Sequence, residues 1–372
     1  MRRANWFIVC SYVLGILVGE RFQGLSTGFL WFSITVSCTA VALVFLNSFC
    51  RWTLSDRSFN FLFSLCTFLC FLSLGGERSL YYNELKTSEI EVRIAEESDK
   101  IKERFSAFVE KNIPDEKSAA IAKALLVGEK GALPRSVKQE FREAGVAHTL
   151  ALSGLHVGIV WSFLSLLFFF LNTSLRGRKI RVFVISALIF AYAFATGLSN
   201  SVVRAAIMLS LWQFNHFFGR KNSGLNSIIA AAFLILLINP ASLSSISFQL
   251  SFAAVLGIAI MYPVINEGII FLSDTLPSRF PKKMIVYPLQ MMGVSIACQL
   301  FTLPIVMYYF GAASQYFLLS NLVVIPSVTL TVYSSSLTLI ATLFSDIAGS
   351  YGSIITSYAV EWLLQLVQFL AA

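Results

Sequence analysis

Two of the three histidines in this 372-residue chain lie close to a serine in one short stretch, residues 147–158, which reads AHTLALSGLHVG. On a helix His156 lies three residues after Ser153, so the two side chains can touch. One interpretation makes Ser153 a nucleophile and His156 its general base. The other gives the stretch a structural or pore-gating role, because glycine lets a polar helix pack closely against its neighbours. A catalytic pair also needs an orienting carboxylate, and none is near in sequence, so we do not expect an enzyme.

An arginine, Arg204, lies in a long apolar run close to one of its ends. Since an arginine at the centre of a bilayer costs about 2.5–3.5 kcal/mol on insertion scales, such residues usually face protein or water. Arg204 could therefore line a path for an anion, or its side chain could extend to the membrane surface. Glu361 lies deep in the last apolar run, and we predict an ion pair between Arg204 and Glu361.

Further polar side chains lie within the apolar runs, with prolines near several of them. They are Asn239, Gln249, Ser251, Gln290, Gln299 and Asn321, with Pro240, Pro304 and Pro326. Broken helices are tolerated in membranes where they are buried or line a cavity, which favours a channel or transporter over a passive anchor. Hydrogen bonding between helices is the alternative for any one of them. The predicted pathway or gating residues are His148, Ser153, Gly154, His156, Asn200, Arg204, Gln249, Ser251 and Asn321.

Neither a metal nor a cofactor is indicated by the motifs. The sequence contains no metal-ligand spacing, no phosphate-binding loop and no dinucleotide fingerprint. Its six cysteines lie in or beside apolar runs and form no disulfide or zinc pattern. We therefore predict no cofactor and no metal.

The polar residues must be positioned by a membrane-embedded framework. Hydrophobic residues make up 56% of the chain and charged residues only 13%, against about 25% charged residues in soluble domains. Apolar runs of this length predict an all-α, polytopic transmembrane helical bundle of about 9–11 spans, and Pro304, Pro326 and other helix breakers in the last three suggest that some of these helices are kinked or split. The candidate spans are approximately residues 5–19, 28–47, 59–75, 148–171, 182–197, 202–218, 225–239, 248–271, 284–310, 317–344 and 350–371.

Basic residues between these spans indicate the orientation. With the N-terminus inside, the cytoplasmic loops hold thirteen Arg and Lys residues and the short outer loops hold only Arg21. Positive charge accumulates on the cytoplasmic side, so we predict a cytoplasmic N-terminus and an extracytoplasmic segment at 76–147. The thirteen are Arg2, Arg3, Arg51, Arg57, Arg176, Arg178, Lys179, Arg181, Arg220, Lys221, Arg279, Lys282 and Lys283.

The outward segment reads as short amphipathic helices after one strand. Alternating apolar and charged residues predict the strand at 89–94. A first helix begins near Ser98 or Asp99, which can cap it. A second covers about 115–127, and a third begins near Pro134 and ends at Gly145.

The chain therefore divides into three regions. Residues 1–75 form an N-terminal membrane region of about three spans. Residues 76–147 form the extracytoplasmic segment of amphipathic helices, and residues 148–372 form the main transmembrane domain.

Several motifs resemble, in order, the signature of the ComEC-type competence protein family. They are LLVGEK at 125–130, SGLHVG at 153–158, SVVRA at 201–205, FQLSFAA at 248–254 and the stretch from Asn321 to Pro326. The resemblance covers approximately residues 115–345. It implies a channel in the bacterial cytoplasmic (inner) membrane that passes single-stranded DNA into the cytoplasm during natural transformation, with 148–372 as the channel domain.

The same resemblance implies the partners and the physical demands on the path. Beside single-stranded DNA and the lipid bilayer, the partners are a DNA receptor and a cytoplasmic motor. Each phosphate is charged and hydrocarbon does not admit it, so the strand needs a wet path through the bundle. Arg204 and the polar helix breaks are the candidates to line that path.

The chain departs from the family pattern in two places. Full-length members are expected to carry an outer OB-fold domain and a C-terminal metallo-β-lactamase-like domain. Residues 76–100 are too few for a five-stranded barrel, and the sequence reaches Ala372 directly after a predicted span. We therefore expect a short form without either domain and assign no nuclease function.

Two other functions remain open on the sequence. One is a membrane-embedded hydrolase or transferase that uses Ser153 and His156. The other is a reduced homologue that transports another solute or acts as an assembly scaffold.

Overall fold

The computed structural model describes residues 2–21, 65, 67–76, 79, 89–131, 133–150, 152–218, 223–275, 282–311 and 317–371. Within these ranges every regular element is a helix, which confirms the all-α prediction. The α-helices are α1 (Arg2–Arg21), α2 (Thr67–Gly76), α3 (Glu89–Asn112), α4 (Glu116–Leu126), α5 (Arg135–Glu143), α6 (Gly154–Leu167), α7 (Leu175–Ala195), α8 (Asn200–Phe217), α9 (Ser223–Ile238), α10 (Ile246–Thr275), α11 (Lys282–Phe310), α12 (Phe317–Phe344) and α13 (Asp346–Ala371). Short 3₁₀ turns lie at Ala147–Leu150, Phe169–Thr173 and Pro240–Ser244.

Four of the described helices, α10 to α13, are long and apolar enough to cross a membrane. By their length and composition the protein is a membrane protein. Shorter apolar helices, within α1, α2, α6 and α9, coincide with other predicted spans. The predicted span at 28–47 lies outside the described residues, and the total of about 9–11 spans stays a prediction.

Prolines do not split the long helices. Pro263 lies inside α10, Pro288 and Pro304 inside α11, and Pro326 inside α12, and all three helices are continuous. Of the two predicted alternatives, kinked or split, splitting is therefore wrong for α11 and α12, and the kinks stay a prediction. In membrane bundles the backbone groups that a proline frees are satisfied by neighbouring helices and by Ser or Thr side chains.

The chain forms two compact units. The first joins residues 1–89 to 225–249, and the second joins 90–224 to 250–372. This grouping does not test the predicted division into three regions, which stays a prediction.

In the first unit α1 and α2 cross at two glycines. A side chain at Gly15 would collide with the backbone of Leu72, and one at Gly75 with the backbone of Tyr12. Small residues let membrane helices approach this closely. The Tyr12 hydroxyl donates to the Leu236 carbonyl at 3.4 Å and so links α1 to α9.

In the second unit α12 and α13 form an antiparallel hairpin around Ser345. The Thr338 and Thr356 hydroxyls lie 2.9 Å apart across the hairpin, and the Thr331 hydroxyl lies 3.4 Å from the Ala359 carbonyl. Buried hydroxyls need such partners. These polar contacts fix the register of the two helices.

Residues 89–112 form one helix, α3, so the predicted strand at 89–94 is wrong. Val92 and Ile94 are exposed, and an alternating pattern specifies a strand only where one face is buried against a neighbour. Ser98 does not begin a helix either. It lies inside α3, and its hydroxyl donates to the Phe194 carbonyl near the end of α7 at 2.6 Å.

The other two helices of this segment agree with the sequence. Asp115 caps α4 by accepting a backbone N–H of its first turn at 2.8 Å. Helix α5 starts directly after Pro134. Gly145 follows it with φ 73°, and the Val146 N–H returns to the Phe141 carbonyl at 2.9 Å, as is common where a glycine ends a helix.

Both α4 and α5 pack against the α12–α13 hairpin. Phe141 of α5 is fully buried in one apolar cluster with Val324 of α12 and Val360 of α13. The Ser320 hydroxyl also donates to the Ala144 carbonyl at 2.7 Å. The segment between the first spans and the SGLH motif therefore shares its core with the C-terminal hairpin.

Replacing Asp115 with alanine removes the cap of α4. Loss of an aspartate cap costs about 1 kcal/mol, so we expect hydrogen exchange of the α4 amides to show a local stability lower by that amount. Asparagine caps nearly as well as aspartate, and Asp115→Asn is the matched control. Equal loss of protection in the two variants would contradict the capping role.

The cap also makes α4 sensitive to pH. Hydrogen bonds from the Ser118 hydroxyl and from its backbone N–H hold the pKa of Asp115 below its ordinary value. A carboxyl with a lowered folded pKa stabilises the fold fully above its unfolded pKa, and this contribution is lost as the pH falls through the folded pKa. The difference in α4 protection between wild type and Asp115→Ala should therefore shrink below about pH 4.

Candidate functional site

Ser153 and His156 lie in contact at the start of α6. Ser153 has an extended backbone (φ −133°, ψ 175°) and is the N-cap residue. Its N–H donates to His156 Nδ1 at 3.4 Å, and its hydroxyl oxygen lies 3.3 Å from the same nitrogen. This is the geometry of a capping box, in which the third helical residue binds back to the N-cap N–H.

The contact determines the tautomer of His156, which is fully buried. A ring nitrogen that accepts a backbone N–H carries no proton, so the neutral ring holds its proton on Nε2. The Ser153 hydroxyl and the Ser153 N–H compete for the single lone pair of His156 Nδ1. A general base needs a lone pair directed at the proton it removes. Helix capping accounts for the contact without a catalytic step.

The start of α6 packs against α8. A Cβ at Gly154 would lie 3.5 Å from the Ala205 Cβ, an ordinary van der Waals distance. Val157, on the next turn, is buried in one cluster with Val202 of α8. Residues 153–156, which we name the SGLH turn, therefore lie beside the first turns of α8.

Arg204 lies on the same part of α8. Its side chain is only 5% exposed, and its Nη2 donates to the Ser201 hydroxyl one turn earlier at 3.3 Å. Burial of a charged group is costly unless polar groups surround it. Arg204 is therefore turned into the protein and does not extend to its surface.

A second feature of the site is the corner at residues 126–129, where α4 ends. Gly128 has φ 79°, and a Cβ there would lie 2.9 Å from the Leu152 Cβ, which places the corner against the residue before the SGLH turn. Three contacts hold the corner: the Tyr192 hydroxyl donating to the Leu126 carbonyl at 2.9 Å, Gly128 against Leu152, and the Ser106 hydroxyl donating to the Glu129 carboxylate. Helices α3, α4, α6 and α7 thus meet at one place.

Three other predicted pathway residues lie on α8 and α10. Asn200 is exposed at the first position of α8, and Ser251 is half-buried in α10. Gln249 belongs to the first unit, where its amide nitrogen donates to the Leu243 carbonyl at 3.1 Å.

Two further predicted residues lie in turns or first turns. The backbone of His148 is in the 3₁₀ turn Ala147–Leu150, and its side chain lies outside the described part of the chain. Asn321 lies in the first turn of α12, and its buried Oδ1 accepts no hydrogen bond from the described residues. Its neighbour Ser320 donates to the Ala144 carbonyl at the end of α5, so Asn321 lies near α5.

Glu361 lies in different surroundings from Arg204. It is exposed on α13 at a groove of about 350 Å³ whose wall includes Asp115, Ser357 and Tyr358. The predicted ion pair between Arg204 and Glu361 stays a prediction. Among the described residues, no group of three or more His, Cys, Asp and Glu side chains lies close enough together to hold a metal ion.

Comparison with known proteins assigns the family. A family model described as "Competence protein" matches residues 125–372. The chain belongs to the competence protein family. This family is associated with DNA uptake, and its matched region begins one residue before the 126–129 corner.

Three curated relatives of this competence protein are distant. ComE operon protein 3 of Bacillus subtilis is 24% identical over 73% of this chain. Uncharacterized proteins of Aquifex aeolicus and of Escherichia coli, the latter named YcaI, are 34% and 31% identical over 42% and 38% of it. The alignments cover 32%, 36% and 20% of the lengths of these relatives. No solved structure matches the chain.

The side chains that hold the corner are not among the predicted site residues. Tyr192 lies in the predicted span at 182–197, and a tyrosine hydroxyl buried in an apolar helix needs a partner, which was an available signal. Ser106 gave no signal, since a serine on a polar helix is usually solvated. Gly128 lay directly after a predicted helix, where positive φ is common.

Replacing Gly128 with alanine should destabilise this competence protein. An alanine at φ 79° costs about 1 kcal/mol or more, and its Cβ would overlap Leu152. Gly131→Ala is the matched control, because nothing lies within 4 Å of a Cβ there. We expect the melting temperature of the purified chain to fall by about 1–4 °C in Gly128→Ala only, and equal shifts would contradict the packing.

The capping role of His156 predicts which substitutions are tolerated. Glutamine serves in capping boxes at this position, so His156→Gln should melt close to wild type. His156→Leu leaves the Ser153 N–H without its acceptor, which costs about 1–3 kcal/mol, and should melt lower. A chemical role of the imidazole would show itself differently. In that case His156→Gln would melt like wild type but support as little DNA uptake as His156→Leu.

Proposed function

We propose that this chain forms a channel that passes single-stranded DNA across the bacterial cytoplasmic membrane during natural transformation. The chain belongs to the competence family, which is associated with DNA uptake, and this supports a role in natural transformation. The observation that carries the proposed route is the burial of Arg204 in α8, beside the SGLH turn and within the family-matched region. In the proposed channel, α6 and α8 form part of the wall of the DNA path.

The charge of the strand explains why a buried arginine belongs there. Each nucleotide carries one phosphate charge, which hydrocarbon does not admit. A guanidinium group binds phosphate oxygens through two parallel N–H bonds, and conduction needs binding that is strong enough for entry and weak enough for exit. One buried arginine with its hydroxyl partner fits this need better than a dense cationic cluster.

We further propose that the N-terminus is cytoplasmic and that residues 76–147 lie outside. The bias of thirteen basic residues against one supports this orientation. Helices α6 and α8 then both begin at the outer face, so an entering strand meets the SGLH turn and Arg204 first. The docked helices α4 and α5 lead into the same place.

The partners follow from this path. A strand must be delivered at the outer face in single-stranded form and drawn inward at the other, so the proposed partners are a DNA receptor and a cytoplasmic motor. The chain itself is proposed to act without catalysis, metal or cofactor.

One observation favours a second candidate function, a membrane-embedded hydrolase or transferase. It is the 3.3 Å distance between the Ser153 hydroxyl and His156 Nδ1. Ser153→Ala separates the two functions, because a channel keeps DNA transfer without this hydroxyl whereas an enzyme with a serine nucleophile loses its activity.

The channel is tested by transfer of labelled DNA into the cytoplasm of a deletion strain complemented with variants. We expect deletion to abolish transfer while DNA still binds the cell surface. Arg204→Met, which keeps the length but removes the charge, should lower transfer at least about tenfold, equivalent to ~1.4 kcal/mol. Arg204→Lys should retain part of it.

Arg135→Met is the control for this series, because Arg135 is exposed on α5 and carries the same charge change. It should leave transfer unchanged at equal protein level. Normal transformation in the deletion strain would overturn the proposal and leave transport of another solute as the alternative.

A further inference from the structure

The junction between α6 and α7 carries an unbalanced positive charge. Four basic residues, Arg176, Arg178, Lys179 and Arg181, lie within six positions at the start of α7. No Asp or Glu occurs anywhere in residues 144–266, and the ion pairs of the described chain lie elsewhere. The N-terminus of a helix is itself partially positive and disfavours cations. An anion from outside the chain would therefore stabilise this end of α7.

One of the four cations organises the junction. Arg181 Nη2 donates to the Ser165 carbonyl of α6 at 2.9 Å, and its Nη1 donates to Asn172 Oδ1 in the 3₁₀ turn at 3.3 Å. Ser174 caps α7 by accepting the Gly177 N–H at 3.0 Å. These contacts fix the junction and leave the other three cations exposed.

The exposed cations stand at the end of an apolar surface. Phe169 in the 3₁₀ turn is 67% exposed. Phe183 and Phe190, 64% and 44% exposed, follow Arg176 at seven-residue spacing and so share its face of α7. At 1.5 Å per residue Phe183 lies about 10 Å along the helix from Arg176, within the ~15 Å thickness of half a hydrocarbon core.

We propose that the α6–α7 junction is a binding site for an anionic phospholipid. The headgroup phosphate binds Arg176, Arg178 and Lys179, and an acyl chain lies along Phe183 and Phe190. Cations at a membrane surface attract anionic headgroups, and guanidinium groups bind phosphate through several N–H bonds. This interaction goes beyond DNA transfer and does not depend on it.

The apolar surface favours a lipid over a nucleic acid. A single strand needs aromatic faces that stand in water beside its phosphates. Here the exposed phenylalanines continue along α7 away from the cations, in the direction that the acyl chain of a headgroup-bound lipid takes. A nucleic acid bound at the cations would leave the exposed surface of Phe183 and Phe190 uncovered.

The test uses the purified full-length chain in a neutral detergent. The melting temperature is measured on titration with phosphatidylglycerol, phosphatidylcholine or a single-stranded oligonucleotide. We expect phosphatidylglycerol to stabilise the wild type and phosphatidylcholine to have little effect. In the variant with Arg176, Arg178 and Lys179 changed to Gln, the apparent affinity for phosphatidylglycerol should fall on the order of a hundredfold, or roughly fivefold for each cation.

The matched control changes Arg135, Lys138 and Arg142 on α5 to Gln, which removes the same charge and should leave the lipid effect intact. If the triple α7 variant does not fold, Arg176→Gln alone should weaken binding several-fold while Arg176→Lys retains it. Equal stabilisation by both lipids, or an undiminished lipid effect in the α7 variants, would overturn the site. Displacement of phosphatidylglycerol by the oligonucleotide at this patch would overturn it in favour of a nucleic-acid site.

Discussion

Burial of α4 and α5 against the α12–α13 hairpin is the interaction on which the candidate site depends. Residues 115–146 are fewer than the roughly 40 that an independent fold needs without cross-links. Phe141 is fully buried in one apolar cluster with Val324 and Val360 of the hairpin. The α12–α13 hairpin therefore positions helices that lie almost two hundred residues earlier in the sequence. A destabilising substitution in α13 should also disturb the SGLH turn.

That core extends directly into the site. Val146, which follows the glycine that ends α5, and Leu150, in the 3₁₀ turn, are both buried in the same cluster as Phe141. The chain then reaches Ser153, whose helix packs on α8 through Val157. The SGLH turn is thus held from both sides, by the core that α4 and α5 share with the α12–α13 hairpin and by the contact of α6 with α8.

The sequence specified local features well and distant contacts poorly. Asp115 and Gly145 were predictable because caps and positive-φ glycines act within a few residues. The Ser153–His156 contact was predictable from spacing, although its position at the N-cap was not. The predicted strand at 89–94 was wrong because alternation specifies a strand only where one face is buried, whereas Val92, Arg93 and Ile94 are all exposed on α3. The links from Ser98 to Phe194 and from Ser320 to Ala144 join residues about a hundred or more positions apart, and no local pattern encodes such pairs.

The described cations of residues 144–266 differ in burial, and that stretch contains no carboxylate of its own. Arg204 is buried, Arg181 donates to a carbonyl and an amide oxygen of the chain itself, and Arg176 is exposed. Helix α6 separates the proposed strand path, at its start, from the proposed lipid site, at its end, by about 20 Å at 1.5 Å per residue. Anionic lipids are abundant and would compete with a passing strand for any shared cation. If both proposals hold, the exposed cations at the far end of α6 and the buried Arg204 beside the SGLH turn would keep the two kinds of phosphate apart.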